Sequence, residues 1–393
     1  MILIDKPYVS DFLIRTIKQY NFQIISTPNA REMIHNESLN WISEKEALNI
    51  FNNNPGTRIY TNSENSISWI ERNFSSSDLP DQIHIFKNKI KFRELIKDLY
   101  PDYFFMGVKF KELRNINIDD IKFPFIIKPA VGFFSLAVHK VDNFGQWNEV
   151  LNNIESEIEQ LKGIYPKEVV DITDFIFEEY IEGEEYAIDC YFDEKGIPII
   201  LNILHHIFSS DSDVSDRVYS TSKEIMEKYY NEIQNLLVTI GNKTNLRNFP
   251  AHVEIRIDNN GKIVPIEVNP LRYGGLCTTG DISSYAYGIN SYQYFLENKN
   301  PNWDEIFSTR ENKKYSIIVL NNNSGFDENE IDYFDYDLLL KDFKKPMSLR
   351  KVDFKKYLVF GFLFVETTCG IENELNHILT SDLRKYIRLK EQS

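Results

Sequence analysis

The chain has 393 residues, 42% hydrophobic and 14% aromatic, which excludes a disordered or fibrous protein and allows two or three packed domains. Its 44 basic and 59 acidic residues leave a net charge of −15, and with no strong basic patch to offset it a nucleic-acid partner is not expected. Cys190, Cys277 and Cys369 lie far apart without CxxC spacing, which argues against a disulfide framework or a cysteine zinc site.

No basic leader runs into a long apolar stretch, so no secretory signal is expected. The most apolar run, "YLVFGFLFV", is far shorter than the ~20 residues that cross a bilayer. The expected setting is the cytoplasm, with no membrane partner.

In chain order, "MILID" and "FQIIST" read as strands around the helix "SDFLIRTIKQY", with Ser10 as its N-cap. "EKEALNIFNNN", "TRIYT" and "SISWIERNF" continue the alternation, so the first ~80 residues form a small α/β unit. That unit lacks a Gly-x-Gly-x-x-Gly after its first strand, so a dinucleotide site is not expected there. "KFRELIKDL" is a helix, and the basic stretch around it reads as a local anion site. "FPFIIKPA" and "SLAVHKV" are strands, and "EVLNNIESEIEQLKGI" is an amphipathic helix. "DFIFEEYI", "EYAIDCYF" and "IPIILNILHHIF" are strands. "SKEIMEKYYNEIQNLLVTIG" reads as one helix with Gly241 as its C-cap. The residues after about 305 are mixed α/β and end in "NELNHILTSDLRKYIRL", read as a helix.

The stretch "HVEIRIDNNGKIVPIEVNPLRYGG" carries the strongest chemical signal. Asn260-Gly261 suits a two-residue hairpin loop, because both residues tolerate positive φ. Such a loop pairs Asn259 with Lys262, sets Glu254 opposite Glu267, and sets His252 opposite Asn269. The strand period of two puts His252, Glu254 and Arg256 on one face. Carboxylates directly opposite repel, and a hard divalent cation would compensate them. Glu254, Glu267 and Asn269 offer oxygen donors for it. A solvated polar hairpin is the competing reading of this stretch taken alone.

Two further stretches bear on that choice. "FIIKPAVGFFS" ends a strand with Lys128 before a loop containing Gly132 and Ser135, which can hold a phosphate. "FEEYIEGEEYAID" can offer the Glu179 carbonyl and Ile181 NH to an adenine. Glu178 could accept from its exocyclic amine, and Glu185 from ribose hydroxyls. Each alone also fits an ordinary strand end or charged hairpin. The loop in "HHIFSSDSDVSDRVYSTS" is the candidate for substrate contacts, with His206, Asp213, Asp216 and Arg217, the last as a bidentate grip on a carboxylate.

Taken in order, "NKIKFRELIKDL", "FIIKPAVGFFSLAV", "FEEYIEGEEYAID" and the Glu-x-Asn-Pro hairpin resemble the ATP-grasp superfamily over roughly residues 85 to 290. The resemblance implies α/β and α+β architecture, with an N-terminal α/β domain followed by a two-lobed grasp that clamps ATP. The implied divisions are 1–85, a first lobe at 86–190, a second lobe at 191–305 and a C-terminal α/β region at 306–393. It matches Lys89 and Lys128 to phosphate-binding lysines, Glu178, Glu179 and Ile181 to the adenine hinge, and Glu185 to the ribose acid. Glu254, Glu267 and Asn269 match the ligands of Mg2+, for which Mn2+ can substitute. Arg272 resembles the arginine that neutralises the reacting group, although Leu271 intervenes between Asn-Pro and Arg272, and Arg256 is a rival for that role. Phe133 and Phe134 stand where glycines are common in the phosphate loop.

The implied chemistry is carboxylate–amine ligation through an acyl phosphate, from small-molecule carboxylate and amine substrates. The alternatives are another ATP-grasp activity, such as a small-molecule kinase or carboxylase-type enzyme, and a nucleotide-binding regulatory protein with decayed catalysis. The N-terminal unit and the region after residue 300 are expected to shape the pocket or a homodimer surface.

Overall fold

The computed structural model describes residues 1–132, 137–161, 171–210, 216–357 and 359–390. At the N-terminus a parallel four-stranded sheet runs in the order Trp41–Ile42, Ile24–Ile25, Ile2–Leu3, Tyr60–Thr61. Its helices begin where side chains can cap them. Ser10 accepts from Leu13 N ahead of helix Asp11–Tyr20, and Ser43 and Glu46 form a capping box on helix Glu44–Asn53.

A second sheet is antiparallel, in the order Phe105–Lys109, Asp171–Glu179, Phe125–Val131, His139–Val141. Phe125, Ile127, Phe175 and Phe177 project from one face into a core shared with Ile154 and Ile158 of helix Trp147–Leu161. The opposite face carries Lys128 and Glu178. This is the period-two division of a half-covered sheet.

A third sheet has eight strands: Ile263–Pro270, Phe249–Ile257, Glu184–Phe192, Pro198–Ile207, Val218–Ser222, Lys313–Asn321, Val359–Thr368 and Pro346–Lys351. It does not respect boundaries at 190 and 305. Strand Glu184–Phe192 lies wholly inside it, and strands after 305 extend it without a break, because Lys313–Asn321 pairs with Val218–Ser222. No helix among the described residues is long and apolar enough to cross a membrane.

Two helical expectations change. The segment after Ser222 forms two helices, Lys223–Lys228 and Tyr230–Thr244, separated at Tyr229 (φ −132°, ψ 18°). Asn245 in the left-handed region, not Gly241, closes the second. Gly241 lies inside the helix, where a Cβ would meet the Phe192 ring at 2.5 Å, so it serves close packing of helix on sheet. The C-terminal segment is α-helical over Asn373–Thr380 and turns as a 3-10 helix over Leu383–Tyr386. Ile387–Leu389 leaves it to pair with strand Ile331–Phe334, where Ile387 and Ile331 join a common core.

The antiparallel four-stranded sheet passes to the eight-stranded one between Glu179 and Glu184. Gly183 sits in that crossing at φ +141°, and a Cβ on it would fall 2.1 Å from the Ile257 carbonyl. Gly183→Ala is expected to lower stability by about 2 kcal/mol or more, through both the backbone angle and the clash. Urea unfolding of the two proteins measures this; an unchanged midpoint would contradict it.

Candidate active site

The acid hairpin forms, but its turn is not the two-residue one. Asp258 Oδ1 accepts from the backbone N of Asn260 (2.8 Å) and Lys262 (2.9 Å), and Asp258 N donates to the Lys262 carbonyl at 3.1 Å. The loop therefore spans 259–261, with Gly261 at φ +81°. Near the turn Arg256 faces Val264 and Ile255 faces Pro265. A bulge then inserts Ile266 on the second strand. The longer loop and the bulge offset one another, so Glu254 still faces Glu267 and His252 still faces Asn269.

Compensation for the facing acids comes from several elements. Lys89, from helix Lys89–Ile96, donates to Glu267 Oε1 at 3.1 Å and to the Gly132 carbonyl at 3.3 Å. Asn269 Nδ2 donates to Glu254 Oε1 at 3.2 Å. His252 Nε2 is 3.7 Å from the same oxygen, while its Nδ1 lies 2.7 Å from Asp189 Oδ1. Burial, then Glu267, Glu185 and Asp216, push the Glu254 carboxyl well above the usual carboxylate range, against the pull of Arg272. Among the described residues no three His, Cys, Asp or Glu side chains form a metal cage of their own. Glu254, Glu267 and Asn269 fit a hard cation that takes its remaining oxygens from water or phosphate.

Lys128 and Glu178 lie two residues apart on the same face of paired strands, because Ile126 stands opposite Glu178. Lys128 Nζ is 2.5 Å from Glu178, whose other oxygen accepts from Arg93 Nε. Glu178 is therefore not presented as an acceptor for an adenine amine. A buried carboxylate requires partners, and two cations supply them. Burial opposes its ionisation, but Arg93 and Lys128 override this and hold its pKa at about 2. Burial, helped by Lys89 and Arg93, lowers the pKa of Lys128 despite Glu178.

Around the crossing between the sheets, the Glu179 carbonyl accepts from Tyr103 Oη at 3.0 Å, and the Ile181 carbonyl accepts from Arg256 Nη1 at 2.9 Å. Arg256, Glu185 and His206 occupy one row across three strands. Arg256 Nε donates to Glu185 Oε2 at 3.0 Å, and His206 Nδ1 lies 2.9 Å from Glu185 Oε1. Arg256 is thus committed to the ribose-acid candidate and the hinge, rather than to the Arg272 position. Tyr219 stacks on His206 at 4.1 Å and donates to Asp216 at 2.6 Å.

Arg272 closes the site from the hairpin's far end, paired with Glu64, which follows the last strand of the N-terminal sheet. Arg217 does not join this group. Its Nη1 donates to the carbonyls of Ile378 (3.2 Å) and Ser381 (3.3 Å), at the C-terminal end of helix Asn373–Thr380. Ser135 and Asp213 lie outside the described residues. A cavity of about 240 Å³ lined by Lys223, Glu227, Arg310 and Cys369 shares none of these residues.

Sequence reasoning missed Arg93, Glu64, Lys87 and Asp189. Arg93 follows Lys89 by four positions, one helical turn, and that spacing could have found it. Asp189 shares the alternation of Glu185 and Ala187 on its strand. Glu64 and Lys87 carry no local signal.

The low pKa of Glu178 gives a pH signature. Its folded pKa lies below its ordinary 4.5, so its contribution to stability is full above about 4.5 and is lost as pH falls toward 2. Glu178→Gln should cost about 3–5 kcal/mol at pH 7, leaving Arg93 and Lys128 underpaired, and should flatten the decline of stability on acidification. Urea unfolding of both proteins from pH 7 to pH 3 checks this; parallel curves would contradict it.

Residues 121–280 match the ATP-grasp domain family. A comparison with curated protein sequences returns no match. Among solved structures, an L-amino acid ligase from Bacillus licheniformis superimposes with a TM-score of 0.69 at 17% identity, covering 100% of this chain and 98% of the other. N5-carboxyaminoimidazole ribonucleotide synthetase from Thermotoga maritima gives 0.65 at 13%, covering 100% and 99%. The biotin carboxylase domain of Hydrogenobacter thermophilus 2-oxoglutarate carboxylase, complexed with MgADP, ADP and bicarbonate, gives 0.60 at 13%, covering 93% and 86%. The domain match makes residues 121–280 an ATP-grasp domain, and the chain as a whole shares the fold of these structures.

Proposed function

We propose that the protein is an ATP-dependent carboxylate–amine ligase that forms an amide or peptide bond through an acyl phosphate and releases ADP and phosphate. The observation that carries this reading is the facing pair Glu254 and Glu267, with Asn269 beside it and Lys89 bonded to its edge. These oxygens would hold Mg2+, or Mn2+ in its place. When bound, the cation would supply neutralisation of the triphosphate and its leaving group. The MgADP complex of the Hydrogenobacter domain supports that assignment by analogy of fold.

The chain's own residues have distinct parts to play. Lys89 and Lys128 act as point charges for phosphate oxygens, with Gly132 at the loop above them. Glu179 and Ile181 provide backbone groups for the base, and Glu185 accepts from the ribose. Glu178 keeps Lys128 in place. Arg272 offsets repulsion between a substrate carboxylate and the γ-phosphate. A carboxylate oxygen then attacks γ-phosphorus and its bond to ADP breaks. The amine nitrogen attacks the acyl carbon, phosphate leaves, and the amine gives up a proton.

Similarity to the L-amino acid ligase over the whole chain favours ligation. Comparable similarity to a synthetase and a carboxylase domain keeps a kinase or carboxylase-type reaction as the second reading. A purely regulatory nucleotide binder fits less well, because maintaining half-buried opposed acids is costly without a use.

The protein with ATP, Mg2+ and pooled amino acids and other carboxylates should release ADP and phosphate only when an amine is present. A phosphorylated product formed without amine would identify a kinase, and nucleotide binding without turnover would identify the regulatory alternative. Glu267→Gln should lower turnover by about 100-fold or more with a near-unchanged melting temperature, since it also removes a like-charge contact. Retained turnover would take Glu267 out of the cation site.

A further inference from the structure

Arg272 lies three residues beyond Asn269, at the foot of the acid hairpin. Its Nε (3.0 Å) and Nη2 (2.6 Å) both donate to Oε1 of Glu64, 208 positions earlier in the N-terminal domain. The other Glu64 oxygen accepts from Lys87. Burial opposes ionisation of Glu64, yet Lys87 and Arg272 hold its pKa at about 2, so it is a fixed anion. The backbone repeats the attachment. Thr61 N donates to the Leu271 carbonyl at 2.8 Å, and Thr61 Oγ1 lies 3.3 Å from the same oxygen. Leu271 itself is at φ +61°.

Arg272 also feels Glu254 and Glu267. Burial opposes its charge, Glu64 supports it most, and the two hairpin acids support it further. Three carboxylates therefore draw on one guanidinium, and two of them are the acids assigned to the cation. A guanidinium is a planar fork that satisfies carboxylates bidentately. Arg272 Nη1 donates to the Tyr273 carbonyl at 2.8 Å, so Glu64 holds the Nε–Nη2 edge of the fork, the edge that its loss would free to turn toward Glu254 and Glu267.

We propose that Glu64 is a positioning residue that holds Arg272 back from Glu254 and Glu267, keeping that pair open to a divalent cation. This rests on the reading of Glu254, Glu267 and Asn269 as cation ligands. The N-terminal domain thereby sets the affinity of a site to which it contributes no ligand, and it keeps Arg272 beside the cation, where a substrate anion would arrive.

Mn2+ binding to the full chain, in the presence of a nonhydrolysable ATP analogue, tests this by electron paramagnetic resonance of the free ion. Glu64→Gln should weaken Mn2+ binding about tenfold, as expected when only about a tenth of the molecules keep the acid pair open. Adding Arg272→Met to that variant should restore affinity to near the wild-type value, although turnover stays low. A purely structural role for Glu64 would not be reversed by removing a second charged residue. Wild-type affinity in Glu64→Gln, or a double variant as weak as the single one, would overturn the proposal. If circular dichroism shows Glu64→Gln unfolded, Glu64→Asp, which keeps the charge facing Lys87 but retracts it from Arg272, carries the same test with a smaller loss and the same reversal. Absence of Mn2+ binding in the wild type would overturn the cation reading and the tether with it, whereas failure of the tether alone leaves wild-type binding intact.

Discussion

Two carboxylates, Glu254 and Glu267, stand directly opposite one another across an antiparallel pair, and their repulsion organises the surrounding structure. A sheet edge could have shed the conflict by a one-residue slip. It does not, because the bulge at Ile266 and the three-residue loop together preserve this register, and buried Val253 and Val268 hold the opposite face. Lys89, Asn269 and Arg272 then arrive from three directions, each relieving part of the charge.

The same economy of charge joins the elements. Arg93 is buried, bonds Glu178 on the four-stranded sheet, and donates at 2.6 Å to the Pro265 carbonyl beside the bulge. One guanidinium thus links the strand that carries Lys128's partner to the strand that carries Glu267. Glu64 links the N-terminal sheet to the hairpin in a similar way. Both links are buried ion pairs, whose value lies less in net stability than in fixing one geometry among several that packing alone would tolerate. Lys128, meanwhile, is held at hydrogen-bond distance from Glu178 and kept in line.

ATP-grasp folds support more than one reaction, so the fold does not by itself select between ligation, phosphorylation and carboxylation. What favours ligation in this chain is local. Arg272 sits at the end of the acid pair, where in the proposed reaction it would offset the charge of a substrate carboxylate.

The sequence by itself determined the alternation that builds the N-terminal sheet, the order of the grasp motifs, and the opposition of Glu254 with Glu267. Those features rest on short-range periodicity and turn chemistry, which a chain carries locally. The turn is one residue longer than Asn260-Gly261 alone implies, and the facing pair survives because a loop residue and a bulge residue offset one another. The roles of Glu178, Arg217 and Gly241 were decided only by tertiary structure: each depends on which buried charge, helix end or ring another part of the chain brings alongside. Glu64 and Lys87 belong to the same class. Nothing near them in sequence marks a site, because a buried ion pair between positions 64 and 272 exists only once the N-terminal sheet has docked against the foot of the hairpin.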